Sequence, residues 1–255
     1  MYRFSDQKLK EIKIAIDHAL KKAERRPVAA FDADGTLWAS DMGESLFHYQ
    51  YRNDLLPNLP QNPWEYYVNF HTKEPEKAYL WLAQINAGFP IEVVRKWARE
   101  AVKTHPEPGI FNGQKDVIRH LRASGVTVYV VTASIKWAVE PAAELYGIPK
   151  ENVIGIQTKV TNGVVTEEQE GPITYRQGKV EGLLKATGGK PPFFAAGNTP
   201  GDLPLLESAT HLRMVLHSAP EGHVNYNSEQ EMLKIARERG WLWHSFLDAS
   251  ADDRF

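Results

Sequence analysis

Two carboxylates spaced two residues apart, Asp32 and Asp34 in Phe31-Asp32-Ala33-Asp34-Gly35-Thr36-Leu37, are the residues of this chain best suited to do chemistry. They follow the apolar run Val28-Ala29-Ala30-Phe31, long enough for a buried strand, and precede a glycine turn. Side chains alternate along a strand, so residues two apart project the same way and can converge on one pocket past the strand end. Two close carboxylates repel each other and are costly to bury unless a cation or a shared proton offsets them. The pattern therefore predicts a metal, an acid/base pair, or both. An Asp acting as nucleophile would form an acyl-phosphate.

The elements that must position this pair can be read from periodicity. Residues 6–25 read as an amphipathic helix with Leu9, Ile12, Ile16 and Leu20 as its stripe, Ser5 as N-cap and Pro27 beyond its end. Residues 41–105 are patterned differently. Helical segments alternate with breaks at Pro57, Pro60, Pro63, Pro75 and Pro90, and aromatics crowd residues 47–81. This stretch reads as a helical insert, leaving residues 1–40 and 106–255 as one α/β unit.

A β/α rhythm resumes near Asn112. A helix over 113–124 stops at Gly125, and the strand Val126–Val131 ends at Thr132. A helix over 135–146 contains Pro141 and is followed by the strand 153–156. Asn162-Gly163 between two β-rich triplets signals a hairpin. Lys179 opens a helix to about 187, Phe193–Ala196 is a buried strand before a Gly-rich turn, and Leu212–Leu216 is another strand. Ser228 with Glu231 predicts a capping box for a last helix ending at Gly240, and the tail beyond Trp243 reads as polar and frayed. Alternating strands and helices imply a Rossmann-like parallel sheet with helices on both faces, an α/β fold. Ligands bind such sheets at the carboxyl ends of the strands. That singles out Asp32 and Asp34, Thr132, and Gly197-Asn198.

Composition narrows the function classes. The chain has 255 residues, 42% hydrophobic and 24% charged, with a formal net charge of −2. Nothing there offers a basic field for nucleic acid or a membrane surface. The absence of cysteine excludes disulfides, thiolate catalysis and cysteine-ligated zinc. There is no run of eighteen apolar residues and no signal-type apolar core at the N-terminus. A cytoplasmic location is the expectation, and a chain with its leader removed would read the same. The partner expected is a small molecule, with oligomeric state left open.

With these residues in view, the chain resembles the haloacid dehalogenase-like hydrolase superfamily over nearly its whole length. Four motifs carry the likeness: Asp32-Ala33-Asp34-Gly35-Thr36, Thr132 after an apolar strand, Lys179 opening a helix, and Gly197-Asn198-Thr199-Pro200-Gly201-Asp202. The resemblance implies Asp32 as the nucleophile that carries the phosphoryl group, and Asp34 as acid and then base. It implies Thr132 as a donor to a phosphoryl oxygen and Lys179 as the charge that offsets phosphate. Gly35, Thr36 and Ala133 are expected to meet the substrate, Ser134 either to do so or only to start a helix, and the Asp32 carboxylate, the Asp34 backbone carbonyl, Asn198 and Asp202 to hold Mg2+. One departure stands out: Asn198 occupies a position where the family usually carries Asp. Asp34 disfavours the dehalogenase branch, which needs no acid on a leaving alcohol.

The insert lies where this superfamily places a helical cap, and its length looks most like the phosphoserine phosphatase branch. Ser40–Leu46 is similar to the corresponding stretch of phosphorylcholine phosphatases, which would set Glu44 against a cationic head group or leave it as a solvated or capping residue. Tyr49, Tyr51, Trp64, Tyr66, Tyr67, Tyr79 and Trp81 could supply an aromatic cage or simply fill the insert's core. The expected activity is Mg2+-dependent hydrolysis of a small phosphate monoester through a phospho-aspartate. The rivals are a phosphotransferase to a small alcohol and a non-catalytic phosphate-binding protein on the same fold.

Overall fold

β1 (Val28–Phe31) and β6 (Phe194–Gly197) are buried along their whole lengths, which is why both read as unbroken apolar runs. The computed structural model describes residues 2–105 and 109–247. In it β1 pairs in parallel with β2 (Thr127–Ile135) on one side and β6 on the other. β3 (Val153–Ile156) extends the sheet past β2, and β7 (Leu212–His217) and β8 (Leu242–Ser245) extend it past β6. The resulting order is β3-β2-β1-β6-β7-β8. The chain winds outward from β1 to β3, then returns to β6 on β1's other flank. Strand order thus reverses at the β1/β6 pair, where a crevice opens at the carboxyl ends. A separate hairpin, β4 (Thr158–Thr161) and β5 (Val164–Gln169), turns at Asn162 and Gly163, both at positive φ.

Alternate residues of β1 feed two hydrophobic layers. Ala29 and Phe31 join Ile12 and Ile16 of α1 (Asp6–Leu20) and Val117, Ile118 and Leu121 of α6 (Asn112–Ala123). Trp137 and Val139 of α7 (Lys136–Glu144) complete that face. Val28 and Ala30 join Leu183 of α8 (Gln177–Thr187), Leu205 and Leu206 of α9 (Leu203–Ser208), and Met232 and Leu233 of α10 (Tyr226–Glu238).

Between β1 and α6 the chain forms α2 (Met42–Arg52), α3 (Pro63–Lys73), α4 (Pro75–Gln84) and α5 (Ile91–Thr104). Their apolar residues Leu46, Phe47, Tyr67, Leu82 and Val94 are continuous with the first layer of the core. Two further ties anchor them. The hairpin pairs with the α4–α5 loop, Ile91 N donating to Gly163 O and Gly88 N to Val165 O, each at 2.9 Å. Arg95 on α5 grips buried Glu140 on α7 with Nε at 2.8 Å and a second nitrogen at 3.3 Å, a two-pronged pair. Among the described residues no helix is long and apolar enough to cross a membrane.

Several boundaries differ from the sequence reading. α1 stops at Leu20 rather than near 25, and Arg26 takes a left-handed conformation ahead of Pro27. β2 does not end at Thr132: it continues to Ile135, with its register against β3 slipping between Val131 and Ile135. The Ser228/Glu231 capping box does not form, because α10 has already begun at Tyr226 and Ser228 Oγ donates to Asn225 O at 2.9 Å. Residues 242–245 form an edge strand rather than a frayed tail, since β7 offers them a parallel ladder. The tail beyond 247 and the expected boundary at 105/106 fall on or beside residues outside those described.

Ile16 of α1 is fully buried against the sheet. Ile16→Ala should cost about 2–5 kcal/mol of folding stability in urea unfolding. A cost under about 1 kcal/mol would mean that α1 is not an integral part of the core.

Candidate active site

The site grows from the end of β1. Asp32 N still donates to Ala196 O at 2.9 Å, so the β1/β6 ladder fixes the backbone of Asp32. The chain then turns sharply. Leu37 N donates to Ala33 O at 2.8 Å, and Gly35, at φ +80°, donates to Trp38 O at 2.7 Å. Only glycine suits this point, because a Cβ on Gly35 would lie 2.0 Å from Asn198 Nδ2. The turn carries Thr36 beneath Asp32, where its hydroxyl lies 3.1 Å from Asp32 Oδ2. The other oxygen, Oδ1, accepts from Lys179 Nζ at 2.5 Å.

Lys179, in the first turn of α8, is buried and lies equally close, 2.5 Å, to Asp202 Oδ1. Asp202 uses its second oxygen to fasten the loop after β6, accepting from the backbone N–H groups of Asn198 and Thr199 at 3.0 Å each. Burial alone would push the lysine towards neutrality, but Asp202 and Asp32 outweigh it and hold the ammonium above its ordinary range.

Asp34 faces a different set of donors. Its Oδ1 accepts from Trp38 Nε1 at 2.7 Å and Met42 N at 3.0 Å, and its Oδ2 from Ser134 Oγ at 2.7 Å. Ser134 reaches there because of the register slip in β2, where Thr132 Oγ1 accepts from Ser134 N at 3.0 Å. Among the described residues the Thr132 hydroxyl proton has no acceptor, which leaves it for the cavity. Asp41 caps α2, accepting from Glu44 N at 2.8 Å, and stands beside Ser134.

This clustering of acids raises their affinity for protons. Burial, then the charge of Asp202, pushes Asp32 up to about 7 against the pull of Lys179. Burial, then Asp41, brings Asp34 to about 7 against its three donors. Asp41 and Glu44 also rise to about 7, each chiefly by burial and then by an acidic neighbour.

Asp32, Asp34, Gly35, Glu44, Thr132, Ala133, Ser134, Lys179, Asn198 and Asp202 all line one cavity of about 630 Å³. Thr36 does not: it is fully buried, with its hydroxyl against Asp32 and Asn198. Of the seven insert aromatics, Trp64, Tyr67 and Tyr79 line the cavity, whereas Tyr49, Tyr51, Tyr66 and Trp81 are not among its lining residues. Trp81 instead packs edge-on to Phe47 within the insert. Sequence reading assigned no role to Asp41, Trp38, Tyr175 or Glu229. Asp41 could have been found as an N-cap shortly after the motif; Glu229 has no local signal, because its partners come from two other segments.

The residues expected to hold Mg2+, Asp32, Asp34, Asn198 and Asp202, all line this cavity. Among the described residues no three His, Cys, Asp or Glu side chains are grouped so as to hold a metal. The Asp34 carboxylate accepts from three donors, so the expected ligand there is its backbone carbonyl, and the oxygens of Asp202 accept from Lys179 and the loop. Two side-chain oxygens lie together: Asp32 Oδ2 and the Asn198 amide oxygen approach the same Thr36 hydroxyl, at 3.1 and 3.3 Å. That sparse set fits Mg2+, which keeps several waters and uses one or two carboxylates plus substrate oxygens.

Residues 29–207 match the model of the haloacid dehalogenase-like hydrolases. The chain is 26% identical to a phosphorylcholine phosphatase of Pseudomonas aeruginosa over 179 residues, 55% of this chain and 51% of that protein. It therefore spans about half the length of that relative. It is 25% identical to a phosphoserine phosphatase of Halobacterium salinarum, over 71% of this chain and 82% of that one. Among solved structures, a protein of unknown function from Bordetella pertussis Tohama I superposes with a TM-score of 0.71 at 21% identity, covering 88% of this chain and all of that one.

The raised acids set a pH dependence. The folded chain binds the Asp41 proton more tightly than the unfolded chain does, so stability falls as pH rises from about 4 through about 7. Asp41→Asn keeps a good N-cap and removes that charge. In chelator it should be more stable than the parent at about pH 8, by roughly 1–3 kcal/mol, with the gain vanishing below about pH 4. Chemical denaturation across that range measures it, and a loss of stability at about pH 8 would contradict the assignment.

Proposed function

This chain belongs to the haloacid dehalogenase-like hydrolase family, and we propose that it is a Mg2+-dependent phosphatase that works through a phospho-aspartate on Asp32. The observation that carries the reading is Asp32 held between Lys179 and Thr36 at the floor of a cavity whose other wall is Asp34. The reading gains weight from two curated relatives that are phosphatases by name.

In the first step an Asp32 oxygen attacks phosphorus and the bond to the leaving alcohol breaks. Asp34, whose affinity for a proton is raised by burial and by Asp41, gives its proton to the departing oxygen. In the second step water attacks the phosphoryl group, Asp34 takes its proton, and the bond to Asp32 breaks to release phosphate. Lys179 and the Thr132 hydroxyl offset charge on the phosphoryl oxygens. The Lys179 charge also favours the ionised form of Asp32 that attack requires. A bound Mg2+ would be held by Asp32 and Asn198, with the Asp34 backbone carbonyl as a third ligand, and would supply charge neutralisation and orientation.

Residues 41–105 act in this reading as a cap over the core formed by residues 1–40 and 106–255. The cap contributes Glu44, Trp64, Tyr67, His71 and Tyr79 to the cavity, and the core adds Tyr175. Tyr79 and Tyr175 face each other with centroids 5.7 Å apart across that boundary. Acid beside aromatic faces suits a cationic nitrogen. We therefore favour small amino-alcohol phosphates such as phosphocholine, phosphoethanolamine and phosphoserine. The phosphorylcholine and phosphoserine phosphatases it resembles act on esters of that kind by their names.

Phosphate release from a panel of monoesters, with Mg2+ and with chelator, tests the proposal. Turnover should require Mg2+ and favour amino-alcohol esters over sugar phosphates. Asp32→Asn should abolish it without unfolding the protein, and a fully active variant would sink the mechanism. Glu44→Gln should raise KM for phosphocholine by roughly ten-fold or more while leaving a neutral alkyl phosphate nearly unaffected. Equal effects on both substrates would assign Glu44 to the fold.

A further inference from the structure

Glu229 comes from α10, outside all four motifs, and is buried against the loop that bears Asn198. Its Oε2 accepts from the backbone N–H groups of Ser218 at 2.8 Å and Ala219 at 2.9 Å. Its Oε1 accepts from Asn198 Nδ2 at 2.7 Å. A carboxylate has no proton to donate, so the amide can meet it only through nitrogen. The amide oxygen is thereby directed the other way, to the Thr36 hydroxyl at 3.3 Å that also serves Asp32. Gly35 closes the remaining side, because a Cβ there would overlap Asn198 Nδ2.

We propose that Glu229 is the positioning residue that makes Asn198 work where the family usually carries Asp. It fixes the amide oxygen toward the Thr36 hydroxyl beside Asp32 Oδ2 and supplies, one hydrogen bond further out, the negative charge that the amide lacks. The inference rests on the hydrolase reading above. It has a consequence that simple conservation of charge would not predict. Restoring the family residue with N198D should harm this protein, because it sets a second carboxylate against Glu229 at the 2.7 Å contact that Nδ2 now makes. Residues 198 and 229 then form a matched pair, in which one member carries the charge and the other the amide.

The test compares the parent with E229Q, N198D and N198D/E229Q. Three readouts apply to each: melting temperature in chelator, the Mg2+ concentration giving half of the thermal shift, and phosphate release. E229Q should raise the Mg2+ midpoint about 10- to 100-fold, the scale for removing a partner that orients a metal ligand. N198D should melt below the parent in chelator, and adding E229Q to it should restore both melting temperature and turnover. The proposal is overturned if N198D alone melts like the parent and binds Mg2+ more tightly, or if E229Q leaves the midpoint unchanged. Should E229Q fail to fold, the melting order of N198D and the double variant in chelator still decides. Should the parent show neither Mg2+ response nor phosphate release, the hydrolase reading fails, and the metal-free coupling between the two positions continues to judge the pairing by itself.

Discussion

A buried ammonium ties the site together. Lys179 Nζ sits 2.5 Å from Asp32 Oδ1 and 2.5 Å from Asp202 Oδ1, joining the end of β1, the start of α8 and the loop after β6. Three charges taken out of water are expensive, and each is tolerable only while its partners remain. Asp202 repeats the logic on its other oxygen, where it gathers the backbone donors of a loop that would otherwise be loose. The geometry of Asp32, the loop and Asn198 thus depends on one buried ammonium, drawn together from segments far apart in sequence.

Around that contact the charge does not balance. Asp34, Asp41 and Glu44 add carboxyl groups to the same cavity, with hydroxyl, indole and amide donors but no second buried lysine among its lining residues. Burial and mutual repulsion hold all four acids near neutrality in their proton affinity. That suits the role proposed for Asp34, acid in one step and base in the next. It also gives a reason for cations, whether a metal ion near Asp32 or an ammonium near Glu44, to favour the folded site.

The helical insert is bound firmly to the sheet unit. Its apolar residues share the core under one face of the sheet, the hairpin pairs with the α4–α5 loop, and Arg95 grips Glu140. Most of its aromatics are spent on that packing. The few that line the cavity, Trp64, Tyr67 and Tyr79, share it with Asp41 and Glu44.

The sequence by itself determined the α/β architecture, the helical insert and the motif residues. These are local facts: apolar runs of strand length, helical periodicity, proline breaks, and a carboxylate pair at a strand end before a glycine. It missed β8, because Leu242–Ser245 gains strand character only from the parallel ladder that β7 offers. It extended α1, put a capping box at Ser228, and ended β2 at Thr132, because caps and bulges are settled by partners elsewhere in the chain. Only the tertiary structure decided that Thr36 supports Asp32 from below, that Asp202 serves Lys179 and its loop, and that Glu229 orients Asn198. The reason is the same in each case: a hydrogen bond between segments leaves no periodic trace in either, and exists only once the sheet has brought both to one place.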